Sequence, residues 1–598
     1  MNLTPEHKKL GQENFHAAIG SELTRRKFLT EQVQQGVVSG GGLGPYYFGY
    51  GKSVDGPIRV GVLGTGDEGS VLIGAINPDF IQVKAIADVR PYNKHRAFHG
   101  DWYSDAARAV RPGLLARYDW KTEDEGRKNV KVYDDYRDLL KEAKELKLEA
   151  VIIALPLHLH APAAIAAMKA GLHVLTEKLM GHSVAECKEM ARVANETGKH
   201  LATGHQRHYN ILYENSVELI RQGVLGDLHY IRAQWHRGNL PGRDSWQQPM
   251  PKKVKPEDGL AEKLDKDLAS WTRKLKDVQK KLKEAEDKKR VDDAARWKKE
   301  VDLWSAKVAQ KTAQIADEAI KEAAKQFGYE DKVLKGADGK VVYTRPAIEE
   351  LIRWRLWDRT GGGLMAELGS HQLDAASIFI SAMHGGKKQH PLCVMAAANR
   401  PLFPPDRDVE DHVYCLFEFP HPDYDASTEL GRQKKISVAY ASINGNGWGG
   451  YGETVFGTQG TLVLETEKEA MLFQTHNVDK NVTLSEKKVK DGVKLELGVA
   501  KEPKNFDKES AALGHVATAG AVRGYTEELE HWAWCIRNPA PENQPRCHPK
   551  MALGDAVIAL TTNKAAREGQ RIEFKEEWFD PDSDATPEGA KPDLSRYA

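Results

Sequence analysis

Ile58-Arg-Val-Gly-Val-Leu-Gly64-Thr-Gly66-Asp-Glu-Gly69, then a helix-like stretch, then Val83-Lys-Ala-Ile-Ala-Asp88, decides how this chain is read. A short apolar strand runs into G-x-G-x-x-G, a helix opens on the last glycine, and a second apolar strand ends in an acid. Gly64 permits a tight turn, Gly66 lets backbone approach a pyrophosphate, and Gly69 lets helix and strand pack closely. The pyrophosphate would lie on the positive end of the helix. Asp88 follows Gly69 by 19 residues, the distance at which a carboxylate meets an adenosine ribose. The stretch therefore predicts a dinucleotide site. Asp88 favours NAD over NADP, because it repels a ribose phosphate; Arg90 is the one nearby residue that would counter it.

Outward from this stretch the pattern repeats. Strand-like runs at 130–133, 150–155, 173–176 and 200–203 alternate with helical ones at 135–146, 161–170 and 184–196. Alternation of this kind signals a parallel sheet with right-handed crossovers. Residues 57–205 are read as an N-terminal Rossmann-like domain. Residues 206–578 change character: strands at 228–235, 392–399, 413–419, 436–443 and 461–465, with helices at 369–381 and 524–537, predict an α+β domain on a mostly antiparallel open sheet. The fold class is α/β. Residues 579–598 form a tail that wraps the surface.

Residues 252–345 interrupt that domain with a different composition. Leu264, Leu268, Trp271, Leu275, Val278, Leu282 and Ala285 recur at spacings of four and three, and Trp297, Val301, Trp304, Val308 and Ile315 continue the stripe. This heptad-like seam predicts helix-on-helix packing. It weakens at 286–293, which predicts a coiled-coil-like helical hairpin, with one long helix as the alternative.

The chain has 598 residues, 29% of them charged, with a formal net charge of zero. Its length requires more than one domain, and its balance supplies no basic field for nucleic acid. No apolar run reaches the roughly 20 residues of a membrane span. Cys187, Cys393, Cys415, Cys535 and Cys547 are scattered and odd in number, which argues against a disulfide framework or zinc cluster. Residues 1–56 read as a leader. Thr24-Arg-Arg-Lys-Phe-Leu29 resembles a twin-arginine export signal, yet 32–51 lacks the apolar core of one. The bacterial periplasm and the cytoplasm both stay open.

Further motifs carry a family resemblance. Ala154-Leu-Pro156-Leu-His-Leu-His160, Gly171-Leu-His173-Val-Leu-Thr-Glu177-Lys178, His205-Gln-Arg207, Gly361-Gly-Gly-Leu-Met-Ala-Glu367-Leu-Gly-Ser-His371-Gln-Leu-Asp374 and Gly457-Thr-Gln-Gly-Thr461 occur in this order. Together they resemble the Gfo/Idh/MocA oxidoreductases over about 57–250 and 350–575. Two departures stand out. Leu179 replaces the proline of the E-K-P motif, whose bond to lysine is often cis, and this predicts looser placement of Lys178. Glu367 replaces the aspartate usual before the histidine.

The resemblance implies Lys178 and His371 as catalytic residues, with Glu367 assisting from one helical turn away. The cation would stabilise a developing alkoxide and the imidazole would take its proton. Gly64, Gly66, Gly69, Asp88, Pro156, His160, Glu177 and Lys178 would bind the cofactor, with Glu177 on the nicotinamide ribose. Arg207, Tyr209 and Asp374 are the expected substrate contacts, Asp374 also as a holder of the His371 tautomer. Trp235 and Trp246 are offered for stacking on a sugar. No metal is expected, since HExxH and clustered carboxylate spacings are missing. The expected partner is a carbohydrate-like small molecule. The expected assembly is a homo-oligomer, dimer or tetramer, paired through the open sheet. Three functions follow: an NAD-dependent dehydrogenase of a sugar, sugar derivative or cyclitol; a glycosidase that recycles NAD through oxidation, elimination, hydration and reduction; or a sensor or scaffold without catalysis.

Overall fold

The computed structural model describes residues 3–21, 23–24, 44–255, 257–475, 477–489, 492–500, 523–589 and 591. Six parallel strands form the first sheet: β1 (Ile58–Leu63), β2 (Ile81–Ala87), β3 (Lys131–Tyr133), β4 (Ala150–Ile153), β5 (His173–Glu177) and β6 (Leu201–Gly204). Their order is β3-β2-β1-β4-β5-β6, with β1 paired to both β2 and β4. The chain thus leaves β1 in one direction and, after β3, returns to its other side. That reversal opens a crevice beyond the carboxyl ends of β1 and β4, where ligands of such sheets bind. The apolar runs of β1 and β4 are buried because helices cover both faces.

The second sheet starts with β7 (Leu228–His236). The chain then leaves it for the insertion, in which helices Gly259–Asp287 and Val291–Ile315 pack side by side. Lys289, at positive φ, makes the turn between them, inside the stretch where the apolar stripe fades. Trp271 meets Trp304 edge-on across the seam at 6.3 Å. Short turns and the hairpin β8 (Lys332–Lys335) and β9 (Val341–Arg345) lead back.

The sheet is completed by β10 (Cys393–Asn399), β11 (His412–Pro420), β12 (Lys435–Ile443), β13 (Tyr451–Gly457), β14 (Gly460–Glu465) and β15 (Glu469–Gln474). A separate hairpin, β16 (Val482–Val489) and β17 (Gly492–Val499), follows, and β18 (Ile572–Glu573) closes one edge. The eight-stranded order is β15-β14-β13-β7-β12-β11-β10-β18. Only β7 and β12 pair in parallel, because the insertion and the strands after it intervene between them. Helix Ser370–Met383 packs on this sheet, and one apolar cluster runs from Leu63 and Ile153 through Phe379 to Val438. The two domains therefore share a core and hold the crevice between them.

The described parts of residues 1–56 pack on the body of the protein. Helix Pro5–Gly20 docks along β15. Its Asn14 donates to the carbonyls of Leu472 and Lys480, each at 3.1 Å, and accepts from Val482 N at 3.2 Å. Phe15 is wholly buried. Residues 44–50 are anchored as well: Tyr47 donates to Asn215 and Tyr50 to Glu530. Residues 25–29, which carry the paired arginines, lie outside the described residues. The tail is tied to the Rossmann domain, with Lys188 Nζ donating to the carbonyls of Glu577, Ser583 and Ala585. No described helix is long and apolar enough to cross a membrane, and all five cysteines are free and buried.

Candidate active site in the interdomain cleft

Gly64 turns the chain out of β1 at φ +86°, and a Cβ there would lie 2.5 Å from the Ala154 carbonyl. Gly69 packs so closely that its Cβ would stand 2.1 Å from the Gly64 carbonyl. Gly66 differs: a Cβ would find Asn93 Nδ2 at 3.6 Å and otherwise open space. It caps helix Asp67–Ala75 without any side-chain bond, so the first-turn N–H groups face the crevice free for an anion. Two acids stand in that turn: Asp67 is paired with Arg96 at 2.8 Å, and Glu68 lines the second cavity described below. The cradle fits a pyrophosphate.

A cavity of about 230 Å³ extends from the cradle past Asp88, Arg90, Asn93 and Pro156. Asp88 accepts from Thr65 N at 2.8 Å, Arg90 N at 2.9 Å and Asn93 Nδ2 at 3.1 Å. Its carboxylate braces the glycine turn as well as facing the cavity. Arg90 Nε is paired with Asp317 Oδ2 at 2.9 Å, both side chains buried.

A second cavity of about 260 Å³ shares Gly66, Asp67, Ala154, Leu155, Trp354 and Arg355 with the first. Lys178, His371, Glu367, Glu177 and His160 all line it. Lys178 comes from the end of β5, where its bond to Leu179 is cis although no proline follows. Its Nζ donates to the Glu367 carbonyl at 2.6 Å and stands 3.9 Å from the Glu367 carboxylate. This fixed position corrects the expectation of a loosely placed lysine. His160 bridges the two segments that flank it, with ring nitrogens 2.8 Å from the Leu179 carbonyl and 2.9 Å from that of Leu155.

Glu367 sits in a π-helical turn, Met365–Gly369, ahead of the α-helix that carries His371. Its carboxylate accepts from Arg355 Nε at 2.5 Å. Burial pushes this carboxyl up, but Arg355 and Lys178 outweigh that and hold it at about 2. Glu367 therefore positions Lys178 and Arg355 rather than orienting the imidazole. Burial, reinforced by the charges of Lys178 and Arg207, keeps His371 well below the usual histidine range. It is a neutral imidazole at pH 7, and its Nδ1 has no hydrogen-bond partner among the described residues. Glu177 shifts the other way: burial and the neighbouring Glu68 push its carboxyl to about 8.

Arg207, Tyr209 and Asp374 take positions behind the cavity, not on its lining. Arg207 is buried and pairs with Glu467 at 2.9 Å and Glu453 at 3.4 Å. The Tyr209 hydroxyl bonds His531 and accepts from Arg546 N, each at 2.8 Å. Asp374 accepts from His208 at 2.9 Å and lies 3.5 Å from His205. The physical reason is burial: Arg207 finds two carboxylates, Asp374 the Lys388 ammonium and two imidazoles, and Tyr209 hydrogen-bond partners, none of which sequence spacing could reveal. Two triads that share Asp555, one with His205 and Cys547 and one with His208 and Asp374, are close enough to resemble metal sites. Lys388, however, donates to Asp555 at 2.5 Å and stands 3.9 Å from Asp374, so an ammonium already neutralises these acids.

Sequence reasoning passed over Arg237, Arg355, Arg523 and Tyr525, which also line the cavity. Arg237 and Arg523 come from loops, Arg355 from the short 3-10 turn Trp354–Leu356 and Tyr525 from the start of helix Tyr525–Arg537, and no motif announces them. Trp235 lines the cavity, stacked on Tyr451 at 4.3 Å. Trp246 does not; it is buried beneath Arg237.

Residues 58–205 match the model of the oxidoreductase family with an NAD-binding Rossmann fold, GFO_IDH_MocA. Residues 58–205 thus carry the NAD-binding Rossmann domain of that family. Among curated relatives, a trans-1,2-dihydrobenzene-1,2-diol dehydrogenase of Mus musculus is 32% identical over 20% of this chain and 35% of its own. A glycosyl hydrolase family 109 protein of Stenotrophomonas maltophilia (strain K279a) is 29% identical over 29% of this chain and 35% of its own. The chain spans about a third of the length of the first curated relatives it matches. Among solved structures, the WlbA dehydrogenase of Bordetella pertussis, in complex with NADH and UDP-GlcNAcA, is 15% identical. It covers 87% of this chain and 99% of its own, with a TM-score of 0.47.

Proposed function

We propose that the protein is an NAD-dependent oxidoreductase that transfers hydride between a hydroxyl-bearing carbon of a sugar, sugar derivative or cyclitol and NAD. One observation carries this reading: Lys178 and His371 face a single cavity that continues into the glycine cradle. NAD supplies the hydride acceptor when bound. Lys178 brings a positive charge to the substrate hydroxyl, where it stabilises oxygen as the proton leaves. His371, uncharged at neutral pH, takes that proton from the O–H while the C–H hydride departs. Glu367 and Arg355 hold the lysine in place. Trp235 offers an apolar face to a ring, and Arg237 offers a guanidinium with no carboxylate contact among the described residues.

NAD is favoured over NADP at the ribose. Asp88 faces it, and Arg90, the nearby cation, is occupied by Asp317. The test incubates the purified protein with NAD and a panel of sugars, sugar acids and cyclitols, reading NADH. At least one should be oxidised, and Lys178→Ala should lower kcat about 10²–10⁴-fold. Bound NAD with no turnover of any panel member would refute this reading.

A second reading draws on Glu177. Its carboxyl keeps a proton at pH 7 beside the same cavity, as an acid for a departing group would. Under this reading the protein oxidises a ring hydroxyl, eliminates an aglycone, adds water and restores the hydroxyl with NAD unchanged. Aglycone release from aryl glycosides without net NADH would select it over the dehydrogenase.

A further inference from the structure

The adenosine end of the cleft has two owners. The Rossmann domain gives Asp88, Arg90, Asn93 and 134–137. The insertion gives the facing wall, residues 325–329. Of these, Tyr329 is buried against His158, and Phe327 is a half-buried ring joined to the small apolar cluster around Ile320, Ala324 and Leu351.

The insertion is also latched to the helix that follows Asp88, Pro91–His99, at both of its ends. At the first end Asp317 accepts from Arg90 Nε at 2.9 Å and from Tyr92 N at 3.0 Å. At the far end Gln310 donates to Asp101 at 2.9 Å and accepts from Trp102 N at 2.6 Å. Asp317 is 1% exposed and Gln310 is 6% exposed. A long solvated hairpin would not need two buried polar latches on the nucleotide-binding edge to keep its own seam.

We propose that the insertion is a nucleotide clasp: it supplies half of the adenosine site, with Phe327 against the base, and keeps the dinucleotide resident between turnovers. This rests on the reading of the cleft as an NAD site. Release then requires the 325–329 turn to lift, which the Asp317 and Gln310 latches oppose. A resident cofactor suits the second proposed reaction, in which oxidation and reduction alternate within one site; in the dehydrogenase reading it makes NADH release the slow step.

The test preloads the full-length protein with NADH and follows the fluorescence decay after mixing with excess NAD. Asp317→Asn keeps the acceptor for Tyr92 N but removes the charge that holds Arg90; combined with Gln310→Ala it should speed release about tenfold or more. Phe327→Ala should raise the NADH Kd about tenfold with an unchanged circular dichroism spectrum. Val291→Ser, at the exposed hairpin tip, should leave both values unchanged. Release equally fast in wild type and the latch variants would overturn the clasp while leaving the NAD site intact. Failure of wild type to bind NADH at all would instead overturn the reading of the cleft, and the clasp with it.

Discussion

Gly64 and Gly66 stand two residues apart and lack side chains for opposite reasons. At Gly64 the backbone is left-handed and the Ala154 carbonyl occupies the Cβ position. Gly64→Ala should therefore destabilise the fold by about 1–3 kcal/mol or more, read as a lower denaturant midpoint. At Gly66 the Cβ would enter the cradle and touch little. Gly66→Ala should leave the midpoint near wild type but weaken NAD binding at least tenfold in a titration. His371 carries a pH prediction. Its folded pKa lies well below the model-peptide value of about 6.5, so the free base survives into acid. The acid limb of kcat/KM should fall well below pH 6.5, and it should move upward in Lys178→Met, where one of the depressing charges is gone. For stability the sign is the reverse of a paired histidine: the unfolded chain takes the proton first. This residue thus draws stability down as pH drops below about 6.5.

At the scale of elements, the N-terminal helix is held by one polar side chain. Asn14 closes three backbone hydrogen bonds at the β15 edge. Asn14→Ala would strand two carbonyls and a buried N–H. The expected loss is about 2–4 kcal/mol in chemical denaturation, large for one polar side chain. The strands β1, β2, β4 and β5 were legible because each is an apolar run bounded by turn signals. Strands β13, β15, β16 and β17 were not. Edge and hairpin strands of mixed polarity earn their pairing from neighbours, and a single sequence does not display those neighbours. The helical hairpin was legible from its seam, since facing helices impose a fixed period on their apolar residues.

At the scale of the whole molecule, both domains and the insertion contribute side chains to one cleft, and a shared core joins the two domains. NAD should accordingly stabilise them together. At about 100 times its Kd it adds about 2.7 kcal/mol, and calorimetry should show one transition shifting upward. An upper transition that stays fixed while a Rossmann transition moves alone would count against a site built across the domains.

The sequence alone determined the glycine cradle between β1 and its helix. Its glycines, strand and acid lie within one short segment, so local geometry dictates where each must point. It also placed Lys178 and His371 among the candidates, through motifs that each sit on one strand end or helix. Only the tertiary structure decided what those residues meet: Arg355 and Glu367 around the lysine, counter-ions around Arg207 and Asp374, and a wall of the insertion over the adenosine end. Charges buried by folding choose partners by distance in space. Residues as far apart in the chain as Arg90 and Asp317 carry no sign of that pairing until the chain has packed.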